Sequence, residues 1–216
     1  MNIVENYFET AYKEMLIEDS NLAVLTPDFP EDMINKSRSE ENDWIYWVPV
    51  DSQVTDEQLK AFEAKYNFNY PVLYKYLLKY KHFYELQNLC IRFEVHLSNN
   101  WQKYLIDLYE SWLPERIIKK GLIPFGSECF MDAGPVCFDL RNSNPDNCPV
   151  VFWDHEWVNT EKEIQPLFSS IQKMFESLTF AAQAPIDFIY DDNNQDKKLR
   201  KKKLDYMVEF LKIDNN

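Results

Sequence analysis

The chain has 216 residues, 45% hydrophobic and 16% aromatic, with a formal net charge of −13 at pH 7. That length suits one well-filled domain, alone or with extensions. The acid surplus disfavours nucleic acid, whose phosphates require Lys and Arg, and three glycines without a GxGxxG or GxxxxGKS/T run argue against a phosphate-cradling loop.

The charge is unevenly spread: residues 1–58 hold fourteen Asp/Glu against three Lys/Arg. An acidic surface of this kind favours basic partners through electrostatic steering. Met1–Asn6 lacks the basic and apolar regions of a secretory signal, and no apolar run approaches the roughly 18 residues of a membrane span. Cys90, Cys129, Cys137 and Cys148 form no CxxC pair and no metal-like spacing. The expectation is a cytoplasmic protein with reduced thiols, no membrane association and no cofactor.

In chain order, Ile3, Val4, Tyr7, Phe8, Ala11, Tyr12, Met15 and Leu16 mark one apolar face of a helix over residues 3–18. Residues 19–43 lose the period and contain Pro27 and Pro30, which predicts an irregular crossover. Trp44–Val50 reads as extended. Thr55 and Gln58 form a capping box for a helix with Leu59, Phe62 and Tyr66 inward, and Pro71 starts another helix to Tyr80. Leu89–Leu97 alternates apolar and polar residues, the signature of a half-buried strand.

A helix follows over residues 100–113, and a short one from Pro114 ends at Gly121. Turn residues then separate three strands, Cys129–Asp132, Val136–Leu140 and Pro149–Trp153. Leu167, Phe168, Ile171, Met174, Phe175 and Leu178 form the stripe of a further helix. An Asp/Asn linker leads to Lys197-Lys198-Leu199-Arg200-Lys201-Lys202-Lys203 and a last helix carrying Leu204, Met207, Val208 and Leu211. The basic run lacks interleaved aromatics, so it reads as a solvated face or an intramolecular partner for the acidic N-terminal third.

Asp154-His155-Glu156 is the richest polar cluster. With Asp132 and Asp139 it would supply ligands for a metal-dependent hydrolase, but His155-Glu156 lacks the second histidine of HExxH. The preferred reading has no metal and no catalytic residues. His82 and His96 lack ligand-spaced partners and read as ordinary surface histidines, while Cys90 and Cys137 read as small buried hydrophobes. Trp44 and Trp47 lie three apart and face opposite sides of an extended segment, so one can emerge as an interface anchor beside Glu40, Glu41 and Asp43. The expected contact residues are Glu40, Glu41, Asp43, Trp47, Asp154, His155, Glu156 and Trp157.

Two blocks carry a family resemblance. Gly121–Ser127 (GLIPFGS), Val136–Arg141 (VCFDLR) and Pro149–Glu156 (PVVFWDHE) precede an amphipathic helix, and Val54–Pro71 is an acid-rich helix carrying Phe62-Glu63 ahead of a proline-started one. Together they resemble the SUKH superfamily, common among bacterial toxin-immunity proteins; the departure is that only Gly126 and Gly134 surround the first hairpin.

The resemblance implies an α+β domain with a predominantly antiparallel sheet at 44–190. An N-terminal helix and acidic loop (1–43) and a linker with a basic helix (191–216) would be additions to it. It further implies a non-enzymatic immunity protein that binds a cognate toxin, of a class that includes nucleases, through a basic partner surface. The alternative is a regulatory or scaffold module of the kind the superfamily supplies to cell-wall signalling.

Overall fold

A computed structural model describes residues 2–38, 43–88, 91–110, 114–128, 134–141, 144–161 and 163–183. In chain order these form α1 (Ile3–Ile17), β1 (Leu22–Val24), β2 (Trp44–Tyr46), β3 (Val50–Asp51), α2 (Asp56–Tyr66) and α3 (Val72–Tyr80). There follow β4 (Lys81–His82), β5 (Gln87–Asn88), β6 (Ile91–Phe93), α4 (Lys103–Glu110) and α5 (Pro114–Ile117). The chain continues through β7 (Leu122–Glu128), β8 (Pro135–Asp139), β9 (Val150–Trp153), β10 (Ile164–Phe168) and α6 (Ile171–Ala182).

Local chemistry sets the helix starts. Asn2 and Glu5 form a capping box on α1, and Thr55 and Gln58 form the expected one on α2. The Pro71 carbonyl accepts from the N–H groups of Tyr74 and Lys75 at the start of α3. Gly121 adopts φ +84, a left-handed conformation that closes the turn after α5 at little cost for glycine.

The main sheet has six strands in the order β10-β9-β8-β7-β6-β5, with every neighbouring pair antiparallel. Two-stranded units β1-β2 and β3-β4 stand beside it. Period two sorts the central strands onto two faces. Val136, Phe138, Val150 and Phe152 enter the main core, while Cys137, Val151 and Trp153 join Ile117 and Leu122 in a smaller cluster on the other face. In the main core Phe125 stacks on Phe138 with ring centroids 4.1 Å apart. Tyr7 of α1 lies 5.7 Å from Phe175 of α6, so the N-terminal helix is part of this core.

Several sequence expectations are corrected. Leu89–Leu97 is not one strand: Asn88 pairs with Ile91, and regular pairing ends at Phe93. Leu89 and Cys90 lie outside the described residues, as do Cys129–Asp132 and the C-terminal helix. A strand absent from the sequence expectations, Leu122–Glu128, precedes β8. Its Pro124 and Gly126 sit where the ladder shifts register. At Gly126 a Cβ would collide with the Arg92 carbonyl, so glycine permits close pairing with β6. Leu167 and Phe168 belong to β10 rather than to the following helix, and the crossover at 19–43 contains β1.

A hydroxyl relay ties α4 to the sheet. Tyr109 Oη donates to the Pro124 carbonyl (2.5 Å) and accepts from Tyr70 Oη (2.7 Å), both rings being fully buried. Tyr109→Phe strands the Tyr70 hydroxyl and the Pro124 carbonyl, and the expected loss is about 1–3 kcal/mol in urea unfolding. Tyr66→Phe, at the exposed hydrogen bond to Glu110, is expected to cost much less.

Candidate interaction surfaces

The corner after β9 is built on two buried carboxylates. Asp154 N–H donates to the Glu163 carbonyl (2.9 Å), Asp154 Oδ1 accepts from the Glu156 N–H (2.9 Å), and Gln165 Nε2 donates to Oδ2 at 3.3 Å. Beneath it the Trp153 indole N–H donates to Glu163 Oε1 at 2.9 Å, joined there by Lys120 at 3.1 Å, while Asn159 N–H donates to Oε2 at 2.9 Å. The Trp153 hydrogen bond, followed by those of Asn159 and Lys120, holds the Glu163 carboxyl below its ordinary pKa.

Asp154 is therefore a capping group inside the turn, which withdraws it from the expected contact set. His155 and Glu156 are exposed, and Trp157 is 43% exposed. Glu163 escaped sequence reading because only the β9–β10 pairing brings it under Trp153.

The second surface is the β1–β2 ribbon. Ala23 and Ile45 oppose each other and are buried, whereas Val24 opposes Trp44 and both stand outward. Leu25 is also exposed, and its N–H donates to the Asp43 carbonyl at 2.8 Å. Asp43 holds the turn before Trp44 at φ +68, and Arg38 lies over the Tyr46 ring while pairing with Asp19 at 2.5 Å.

The two tryptophans face opposite ways, as their spacing predicts, but the assignment is reversed. Trp44 is 48% exposed and Trp47 is 0% exposed. Trp47 is drawn inward because Ile34 bridges it on one side and its ring packs 5.3 Å from that of Tyr12. Its carbonyl also accepts from Asn21 Nδ2 at 2.8 Å. Glu40 and Glu41 lie outside the described residues.

The model of the SMI1 / KNR4 family (SUKH-1) matches residues 53–177, from just ahead of α2 into α6. The chain belongs to that family. The antiparallel sheet and its helices are therefore a SUKH-like α+β fold, and SUKH-1 membership supports an immunity or regulatory module of a generally non-enzymatic kind. No curated protein matches the chain. Helix α1 and the ribbon precede the matched region, although α1 shares its core.

The described residues of the hydrolase alternative are not grouped as metal ligands. Asp139 is held by Arg141 in a bidentate pair (2.8 and 2.7 Å), Asp154 caps its turn, and Asp132 lies outside the described residues. Among the described residues no three His, Cys, Asp or Glu groups are placed to hold a metal ion. No helix among them is long and apolar enough to cross a membrane.

The histidines are the larger correction. His82 and His96 are both buried, stacked at 4.6 Å, with their Nδ1 atoms 3.1 Å apart. They lie behind a cleft of about 650 Å³ lined by Asp28, Phe29, Asp32, Val50 and His82. Gln53 N–H donates to His82 Nε2 at 3.3 Å, which places the His82 proton on Nδ1, facing His96. His96 Nε2 is a buried atom with no partner among the described residues. The His96 Nδ1–H donates to the Lys81 carbonyl at 3.2 Å.

Burial lowers the pKa of His82 and, reinforced by His82, drives that of His96 well down. The unfolded chain thus takes up these protons first. Stability is full above about pH 6.5 and falls with acidification below it, by at most about 1.4 kcal/mol per pH unit per histidine. Burial of Glu94 pushes its carboxyl up to about 7 and works in the opposite direction over the same window. The diagnostic is therefore a difference between proteins: His82→Asn/His96→Phe is expected to lose less stability than the parent between about pH 7.5 and about pH 5.5 in urea melts. Equal losses would remove the pair as the acid-labile element.

Proposed function

We propose that this protein binds a cognate bacterial toxin domain and neutralises it in the cytoplasm of the producing cell. The contact is one-to-one and involves no turnover. The observation that carries the reading is the outer face of the β1–β2 ribbon. Trp44, Val24 and Leu25 stand in solvent beside Asp43, ahead of the matched family region.

Over residues 1–58 acids outnumber bases fourteen to three. Aromatic anchors carry much of the energy of protein interfaces, and rim charges of opposite sign raise association rates. Toxins that act on nucleic acid have basic substrate grooves, to which an acidic inhibitor is the electrostatic complement. Glu40 and Glu41 belong to the same acidic run as Asp43, and His155, Glu156 and Trp157 form the second proposed contact. The partner is accordingly a basic protein surface rather than nucleic acid or a membrane.

The test uses a candidate toxin domain drawn from a neighbouring gene. Trp44→Ala is expected to weaken binding by about 1–2 kcal/mol, roughly tenfold or more in Kd, with an unchanged melting temperature. Glu40→Lys/Glu41→Lys/Asp43→Asn is expected to slow association at low salt and flatten its salt dependence; Asn is chosen at 43 because it tolerates the left-handed backbone. Variants that bind and protect like the parent at every ionic strength would exclude the ribbon as the interface.

A further inference from the structure

The C-terminal ends of α1 and α6 flank one groove of about 250 Å³. Ala11, Met15 and Ala182 contribute apolar surface, and Glu14, Glu18 and Glu85 contribute carboxylates. Both helices direct the negative pole of their dipole here, and neither has a basic residue in its last turn. None of the three carboxylates has an ion-pair partner among the described residues. Glu85 is half-buried, and desolvation raises its pKa against the opposing pull of Arg92. On the same last turn of α1, Leu16 and Ile17 are exposed.

We propose that the basic segment of this chain from Lys197 to Leu211 docks into this groove. Described chain ends at Gln183, directly after the Ala182 that lines the groove, and residues 184–216 follow. Residues 184–196 span at most about 45 Å when extended and about 20 Å as a flexible coil, so the groove is within easy reach. Lys197, Lys198, Arg200, Lys201, Lys202 and Lys203 supply the missing cations for the carboxylates and the two helix ends. Leu204, Met207, Val208 and Leu211 recur at i, i+3, i+4 and i+7 and supply an apolar stripe for Leu16, Ile17 and Met15.

A tether of this length gives an effective concentration near the millimolar range, so individually weak contacts are enough to hold the segment. The contact is independent of toxin binding and stands or falls without it.

Zero-length carbodiimide crosslinking of the dilute full chain, mapped by peptide mass spectrometry, tests the site. The expected product is a crosslinked monomer in which residues 197–203 are joined mainly to Glu14, Glu18 and Glu85. Hydrogen exchange supplies a readout that does not depend on crosslinking chemistry. In full-length Lys197→Glu/Lys198→Glu/Lys201→Glu/Lys202→Glu, amides in the last turn of α1 are expected to exchange faster than in the parent, and added salt is expected to close the gap. Crosslinks spread over unrelated acids, or unchanged exchange, would overturn the proposal. Crosslinks confined to a dimer would overturn it in favour of a second copy, and their absence until a basic protein is added would do so in favour of an outside partner.

Discussion

Strands β8 and β9 are buried on both faces, and the rest of the molecule is arranged to cover them. Their alternate side chains feed two unequal clusters. The larger is filled by aromatic rings from α1, α2, α3, α4 and α6; the smaller is closed chiefly by Trp153, with Ile117 and Leu122. A strand committed on both sides has no face left for a ligand. The surfaces available for recognition are therefore displaced to the corner after β9, to the ribbon and to the helix ends.

Burying so many aromatics brings polar atoms inside, and the fold answers with specific partners. The Trp153 indole has Glu163, the Tyr70 and Tyr109 hydroxyls have each other and Pro124, and Glu63 takes the Tyr70 N–H at 2.7 Å with Lys75 nearby at 3.3 Å. Three groups depart from this rule, Asn21 Oδ1 among them. Trp47 Nε1 and His96 Nε2 are buried without partners among the described residues. Each leaves a desolvation cost that the surrounding packing offsets.

The sequence conveyed elements whose rules are local. The Thr55–Gln58 capping box, the apolar period of α1 and the pattern of β8 and β9 each require only neighbours in the chain. It conveyed less where distant contacts override local preference. Pro124 and Gly126 look like turn residues, yet the pairing of β7 with β6 and β8 holds them in a strand. Leu167 and Phe168 fit the period of α6 but are captured by β9. Of the candidate contacts, alternation placed Trp44 and Trp47 on opposite faces, but deciding which faces inward required Ile34 and Tyr12, residues far away in the sequence. His82 and His96 show the same limit, since no spacing reveals that two isolated histidines will stack.

The packing of α1 on α6 also orders events during synthesis. Tyr7 and Phe8 leave the ribosome well before the Phe175 surface that buries Tyr7 has been made. Domains dominated by such long-range contacts fold late and expose apolar surface in the meantime. Until α6 has been made, the nascent chain carries a capped, amphipathic α1 without its docking site. Chaperone demand at this stage is set by the first helix, well before the sheet exists to receive it.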